Sequence, residues 1–347
     1  MWPFWLMFGA AAFGVFSPLR LRETQAFWLW LLVGIAFAVA MGFRHEVGAD
    51  WFNYAAIFES TSLLSLKESA SLGDPGYSAL NWAVAQLGGS VYWVNFACAL
   101  VLACGTAVFC RRQPNPWLAL LAATPYMLIV VGMGYTRQSV ALGFALLGLS
   151  ALGDARTRAF VVWVVIGALF HKSAVLLLPI AALAASRNRL LTGMLVVLAT
   201  ALAYYLLLHD SSEALWANYV EDELQSEGGA IRVAMNAVAA LAFLFFQKRL
   251  APDAHERRLW LWMTFFALAC VPLVVLASTA VDRVALYLIP LQLFVFSRLP
   301  RLAGSTVTRT PLVLGIVLYY AAVQFVWLNY ATHAEYWAPY HFMPSGQ

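Results

Sequence analysis

Arg137, Arg232 and Arg283 each stand near the start of an apolar run that reads as a helix. The macrodipole at a helix N-terminus disfavours a cation and favours an anion, so three guanidiniums placed there ask for a negative ligand. Free backbone N–H groups and the paired donors of arginine suit phosphate. The plainer alternative is that each arginine pairs with a local acid, Asp282 beside Arg283 being the obvious one, or reaches lipid phosphates. A fourth arginine, Arg44, belongs to the stretch FRHEVGADWFNY, residues 43–54, with His45, Glu46, Asp50, Asn53 and Tyr54. It closes an apolar run, where a cation is already favoured. If this segment is helical, Glu46, Asp50, Asn53 and Tyr54 share a face. Asp50, Glu46 and His171 (in LFHKS) are the candidates to take a proton from a hydroxyl. A helix-capping role for Asp50 and a dipole-stabilised interfacial role for His171 are the plainer alternatives.

Other chemistries lack their residues. His, Cys and Glu do not recur at metal-ligand spacing, so metal-independent chemistry without a cofactor is the expectation. Cys98, Cys104, Cys110 and Cys270 fall inside apolar runs, as packing residues do. Glycine loops for nucleotides and basic-aromatic patches for nucleic acid are missing. Tyr54 and Tyr77 belong to a crowd of aromatics on one side of the chain, most of which fit an interfacial belt and some of which fit stacking on sugar rings.

The elements that must hold these residues are membrane helices. Of 347 residues, 63% are hydrophobic and 11% charged, and the mean hydropathy is +0.75. That composition excludes an ordinary soluble protein, and the long apolar runs lack the alternation of a barrel. With about 20 residues per span, the sequence predicts an all-α polytopic membrane protein of about twelve transmembrane helices, a single domain over 1–347. The runs lie near 2–17, 25–42, 90–110, 117–134, 137–152, 159–171, 173–186, 190–208, 231–247, 259–278, 283–298 and 311–330. Of 21 basic residues, 15 fall in the loops on one side, from Arg20 and Arg22 to Arg298, Arg301 and Arg309. By the positive-inside rule that side is cytoplasmic, and both termini are expected outside. The candidate site residues all fall on the outer side. Two long connections also fall there. Residues 43–89 predict short amphipathic outer-face helices with Asp50 and Asp74 as N-caps and Pro75 at the first helical position. Residues 209–230 read as an acidic outer loop or lid.

Five segments in order, FRHEVGADWFNY, DPGYSALNWAVAQLG, YTRQSVALGFALLGLSAL, the run from Phe160 through FHKSAVLLLPI, and DRVALYLIP, resemble the landmarks of the EpsG-type family of Wzy-like polysaccharide polymerases. They span residues 43–290. The resemblance implies a GT-C-like glycosyltransferase that joins polyprenyl-diphosphate-linked glycan repeats on the outer face of the cytoplasmic membrane of a bacterium. It implies importance for Arg44, Gly48 and Asp50, for Pro75, Gly76, Tyr77 and Asn81, for Arg137 and Gln138, for His171, and for Arg283 and Tyr287. Arg232 and Asn236 match more weakly, and Trp51 departs from the smaller or Tyr/Thr residue that more often follows the aspartate. On this basis Arg137, Arg283, Arg232 and Arg44 are expected on the diphosphate. Asp50, His171 and Glu46 are expected near the reacting hydroxyl, and Tyr54, Tyr77, Gln138 and Tyr287 along the sugars. The implied partners are lipid-linked glycan, membrane lipid, a chain-length regulator and export machinery, with no nucleic acid. An O-antigen-type ligase, a lipid-linked glycan flippase or transporter, and a membrane acyltransferase are the rival readings.

Overall fold

The computed structural model describes residues 1–19, 21–71, 73–184 and 228–344, with isolated positions between 190 and 201. The apolar run near 190–208 lies largely outside the described residues, as does the acidic segment 209–230 up to residue 227. The chain is helical nearly throughout. It opens with α1 (Trp2–Phe16) and α2 (Glu23–Gly42), followed by a two-residue strand β1 (Arg44–His45) and three short helices, α3 (Trp51–Ser62), α4 (Leu66–Ser71) and α5 (Pro75–Gln86). Then come α6 (Val91–Arg111), α7 (Pro116–Ala123), α8 (Gly132–Gly134), α9 (Thr136–Gly153), α10 (Thr157–Phe170) and α11 (Leu178–Ala184). The second half holds α12 (Gly229–Leu250), α13 (Ala254–Leu276), α14 (Ser278–Leu286), α15 (Ile289–Arg298), α16 (Thr306–Tyr330) and a closing strand β2 (His341–Phe342).

Among the described residues, six helical stretches are long and apolar enough to cross a membrane, seven if the bent pair α14 and Ile289–Leu302 counts as one. The stretch Pro116–Gly134 is the central one, buried inside the protein almost throughout, whereas Glu23–Gly42 and Thr306–Tyr330 are mostly unburied and lie at the rim of the bundle. The helices approach closely where side chains vanish, as membrane bundles do. A Cβ on Gly105 would sit 2.2 Å from the carbonyl oxygen of Gly143, which seats α6 against α9. One on Gly42 would sit 2.4 Å from the backbone of Phe96, which seats α2 against α6.

Hydrogen bonds between loops define the two ends of the bundle. At one end Arg112 and Arg156 share Asp154, Arg298 reaches Glu256 and the Leu250 carbonyl, Arg249 donates to Leu302 O and Arg309 to Asn115. The other end carries the opening stretch, α5, the starts of α9 and α12, the end of α10, and α14. It is closed by a strap from the far end of the sequence, because β2 pairs antiparallel with β1, Arg44 opposite Phe342 and His45 opposite His341.

The helices at this end begin and break for local reasons. Pro75 starts α5 at this end, as Pro116 starts α7 at the basic end, where a missing N–H costs nothing. Between α7 and α8, Thr124–Val131 widens into a π-helix, a form concentrated at functional sites. The run near 283–298, expected as one span, breaks at Tyr287 and Leu288 with a bend of 48°. Pro290 explains the break, since it disfavours helix before it and removes a donor.

Candidate active site

The three breaks, at Tyr135 before α9, at His171 after α10 and at Tyr287 after α14, bring most of the expected residues together. His171 Nδ1 lies 2.6 Å from Ser173 Oγ, which donates to the Tyr287 hydroxyl at 3.1 Å. Gln138 Nε2 donates to the Arg283 carbonyl at 2.8 Å, and Arg283 Nη1 turns back toward Gln138 Oε1 at 3.4 Å. The Arg283 guanidinium lies over the ring of Tyr135 at 4.9 Å, a placement that holds a cation without cancelling its charge.

Arg137, in the first turn of α9 as expected, is bound to the nearly buried Asp74 at 2.9 Å. Asp74 occupies the N-cap position of α5 but accepts no hydrogen bond from that helix. Its carboxylate is turned across the gap to the arginine. Burial pushes the Asp74 carboxyl up from its ordinary range, and Arg137 and Lys172 partly pull it back. Asp74 thus ties α5 to both α9 and the break after α10, reinforced by Gly76, on which a Cβ would lie 3.0 Å from Leu169.

Two expectations for the arginines need correction. Asp282 does not pair with its neighbour Arg283; it forms a two-pronged pair with Arg232, Nε to Oδ1 and Nη2 to Oδ2. Both side chains are nearly buried, 12% and 8% exposed, so this cation arrives at the site already neutralised. Arg283 in turn does not begin a helix. The break at Tyr287 puts it in the last turn of α14, where the helix dipole welcomes a cation. No carboxylate pairs with Arg283 among the described residues.

Arg44 is completely buried, and its donors are spent on the protein: Nε on the Val47 carbonyl at 2.9 Å, Nη1 on Met41 O at 2.6 Å and Nη2 on Thr136 Oγ1 at 2.9 Å. It locks the opening stretch to the residue before Arg137 rather than facing a ligand. Gly48 belongs to the same lock. Its φ of 101° suits glycine, and a Cβ there would lie 2.3 Å from the Met133 carbonyl oxygen. Its N–H donates to Tyr336 of the strap at 2.7 Å.

Of the candidate proton acceptors, Asp50 sits at the N-cap of α3, yet its side chain accepts no capping bond. Asp50 bears electrostatically on the Tyr135 phenol, as do Arg232, Arg283 and Asp282. Glu46 turns outward, half exposed and 3.8 Å from His45. Tyr54 and Tyr77 are buried edge to face at 5.7 Å beneath α3 and α5. Around them are polar atoms buried with no partner: Tyr77 OH, Asn81 Oδ1, Arg137 Nε and both amide atoms of Asn95. A buried group left unpaired costs about 1–3 kcal/mol, a cost that a substrate hydroxyl would remove.

Sequence reasoning missed three participants. Tyr135 carries the cation of Arg283, Ser173 links His171 to Tyr287, and Asn95 lies one turn from Tyr92, whose hydroxyl bonds His45 at 2.7 Å. The signal for Tyr135 and Ser173 was their position directly beside a helix break that carries Arg137 or His171. Asn95 offered only a polar side chain within an apolar run.

The order of these segments has a counterpart among known proteins. The EpsG family model matches residues 27–342, from within α2 to β2, nearly the whole chain. The chain belongs to the EpsG family. EpsG proteins are of the Wzy-like polymerase type, so this is a polysaccharide-polymerase-like membrane protein. The matched region takes in both the arginine breaks and the closing strap. No curated protein and no solved structure matches.

Proposed function

We propose that the protein is a GT-C-like glycosyltransferase that transfers a growing glycan from polyprenyl diphosphate to the terminal hydroxyl of another lipid-linked repeat. The observation that carries this reading is the convergence on Arg283, a cation held over Tyr135 with no carboxylate partner among the described residues, beside Arg137, Gln138 and His171. As the glycosidic bond breaks, negative charge collects on the departing diphosphate. A pre-placed cation stabilises that charge more than it stabilises the ground state.

Arg283 is assigned to the diphosphate, with Arg137 as its partner once phosphate competes with Asp74. Arg232, neutralised by Asp282, holds α14 in place, and Arg44 fixes the opening stretch; neither contacts the diphosphate. Asp50 takes the acceptor proton, its carboxylate being uncommitted to capping, and His171 orients sugar through Ser173 and Tyr287. The charge is supplied by arginine, so the reaction is proposed to run without a metal ion. The end of the bundle with the breaks faces the exterior, the chain crosses the bacterial cytoplasmic membrane twelve times, and both termini lie outside.

The test is purified protein incubated with lipid-linked repeats. A ladder of lengthening products, resistant to a chelator, is expected. Arg283→Ala, normally inserted, is expected to lose roughly 10²–10³-fold in rate, the scale of losing one transition-state donor. A single product that never lengthens would make the protein a ligase instead. A full ladder from Arg283→Ala removes the diphosphate assignment.

A further inference from the structure

At the opposite end of the bundle lies a cavity of about 320 Å³ that the proposed reaction does not use. Four helix ends wall it: those of α6, α9 and α15, and the first turn of α13. Its floor is aromatic. Trp260 stacks on Phe294 with ring centroids 4.1 Å apart, and Phe109 meets Trp260 edge-on at 6.0 Å.

Its walls hold two cations and two anions arranged as two pairs of unequal commitment. The deeper pair is fixed: Arg298 grips both oxygens of Glu256 at 2.8 and 3.0 Å, donates to the Leu250 carbonyl and to Gln113, and lies over Phe294 at 3.8 Å. The outer pair, Arg112 with Asp154, is 40% and 35% exposed, and the second oxygen of Asp154 meets the exposed Arg156 outside the cavity at 2.9 Å. Such a pair contributes little to stability and is readily exchanged for other partners.

A purely anionic ligand here would face Asp154 and Glu256, and a purely cationic one Arg112 and Arg298. A ligand with one charge of each sign suits the outer pair: Arg112 takes the anion through its paired donors, and Asp154 takes the cation on the side it turns to Arg112, its other oxygen staying on Arg156. The volume is at the low end for a small-molecule site, so the ligand is small. The cavity also lies where the membrane-length helices α6 and α13 end, which is the depth of lipid headgroups. We propose that this cavity binds a small zwitterion that joins a phosphate to an ammonium group, of the phosphoethanolamine type. Both a membrane lipid headgroup and a free solute carry that chemistry.

Gly153 allows a clean test. It lines the cavity, and a Cβ on it would meet nothing within 4 Å, so Gly153→Leu fills the space without a backbone clash. Thermal unfolding of the detergent-solubilised full chain is measured with added phosphatidylethanolamine, with phosphatidylglycerol, and with free phosphoethanolamine. The expected result is a saturable rise in Tm with phosphatidylethanolamine but not phosphatidylglycerol, cut by more than half in both Gly153→Leu and Asp154→Asn. A rise with free phosphoethanolamine alone, lost in the same two variants, supports the site and makes its ligand a solute. Equal responses to the two lipids, or a zwitterion response unchanged in both variants, overturn the proposal.

Discussion

At the scale of single residues, the site separates charges that are spent from charges that are kept. Arg44, Arg137 and Arg232 all have partners in place, whereas Arg283 rests on an aromatic ring. The same distinction sorts the candidate bases. Asp50 gives its carboxylate to no cap, and His171 is already engaged with Ser173. The expected outcome is that Asp50→Asn lowers chain extension on pre-loaded lipid-linked repeats by about 10²-fold or more, the usual contribution of a general base. His171→Ala, losing orientation, is expected to raise KM more than it lowers kcat. Chain length and the two constants on defined repeats check this, and undiminished extension by both variants removes both roles.

At the scale of elements, the Arg232–Asp282 pair decides where α14 sits and therefore where Arg283 points. It is continued inward by a buried polar chain: Asn236 Nδ2 donates to Ala285 O at 2.8 Å, Gln292 Nε2 to Asn236 Oδ1 at 2.7 Å, and Tyr320 OH to Gln292 Oε1 at 3.0 Å. Asp282→Asn leaves Arg232 buried and uncompensated, a change that costs about 3–5 kcal/mol in such settings. Lower thermal stability together with lost activity is the expected outcome, read by melting in detergent. An unchanged melting temperature would contradict the anchoring role. These links also show what the sequence could and could not convey. Apolar runs, Pro75 and the polarity of α9 were legible because they depend on neighbours a few residues away, and so were Arg137, Arg283, His171 and Asp50 as candidates. The Asp282–Arg232 pairing was not legible, because adjacency suggested Arg283 while the helical backbone turns successive side chains apart. Asp74 holds the expected N-cap position but makes no side-chain cap for a similar reason: a half-buried cation 63 positions away outbids the local N–H groups. The break at Tyr287 was signalled by Pro290 but was hidden within a continuous apolar run.

At the scale of the whole molecule, one end of the bundle is a basic seam and the other gathers the breaks. Orientation across the membrane is testable at two open positions. Gly73 lies at the break-bearing end and Gly304 at the basic end, and a Cβ on either would meet nothing within 4 Å. In a background where the exposed Cys104 is replaced by alanine, an impermeant maleimide is expected to label Gly73→Cys on intact cells and Gly304→Cys only after permeabilisation. The reverse pattern would invert the proposed topology. The strap adds a constraint of time. Tyr340 closes on the Ala40 carbonyl across 300 residues of chain, Trp337 Nε1 reaches the Ile129 carbonyl at 3.2 Å, and Met343 N–H meets Phe43 O at 2.8 Å. A chain stopped after Tyr330 is therefore expected to insert but to make no polymer, as gel analysis of products would show. Arg44 can grip Thr136 as soon as α9 is made, yet the opening stretch lacks its pairing strand until the strap arrives, so a chain in the membrane that stops short of it is a silent one.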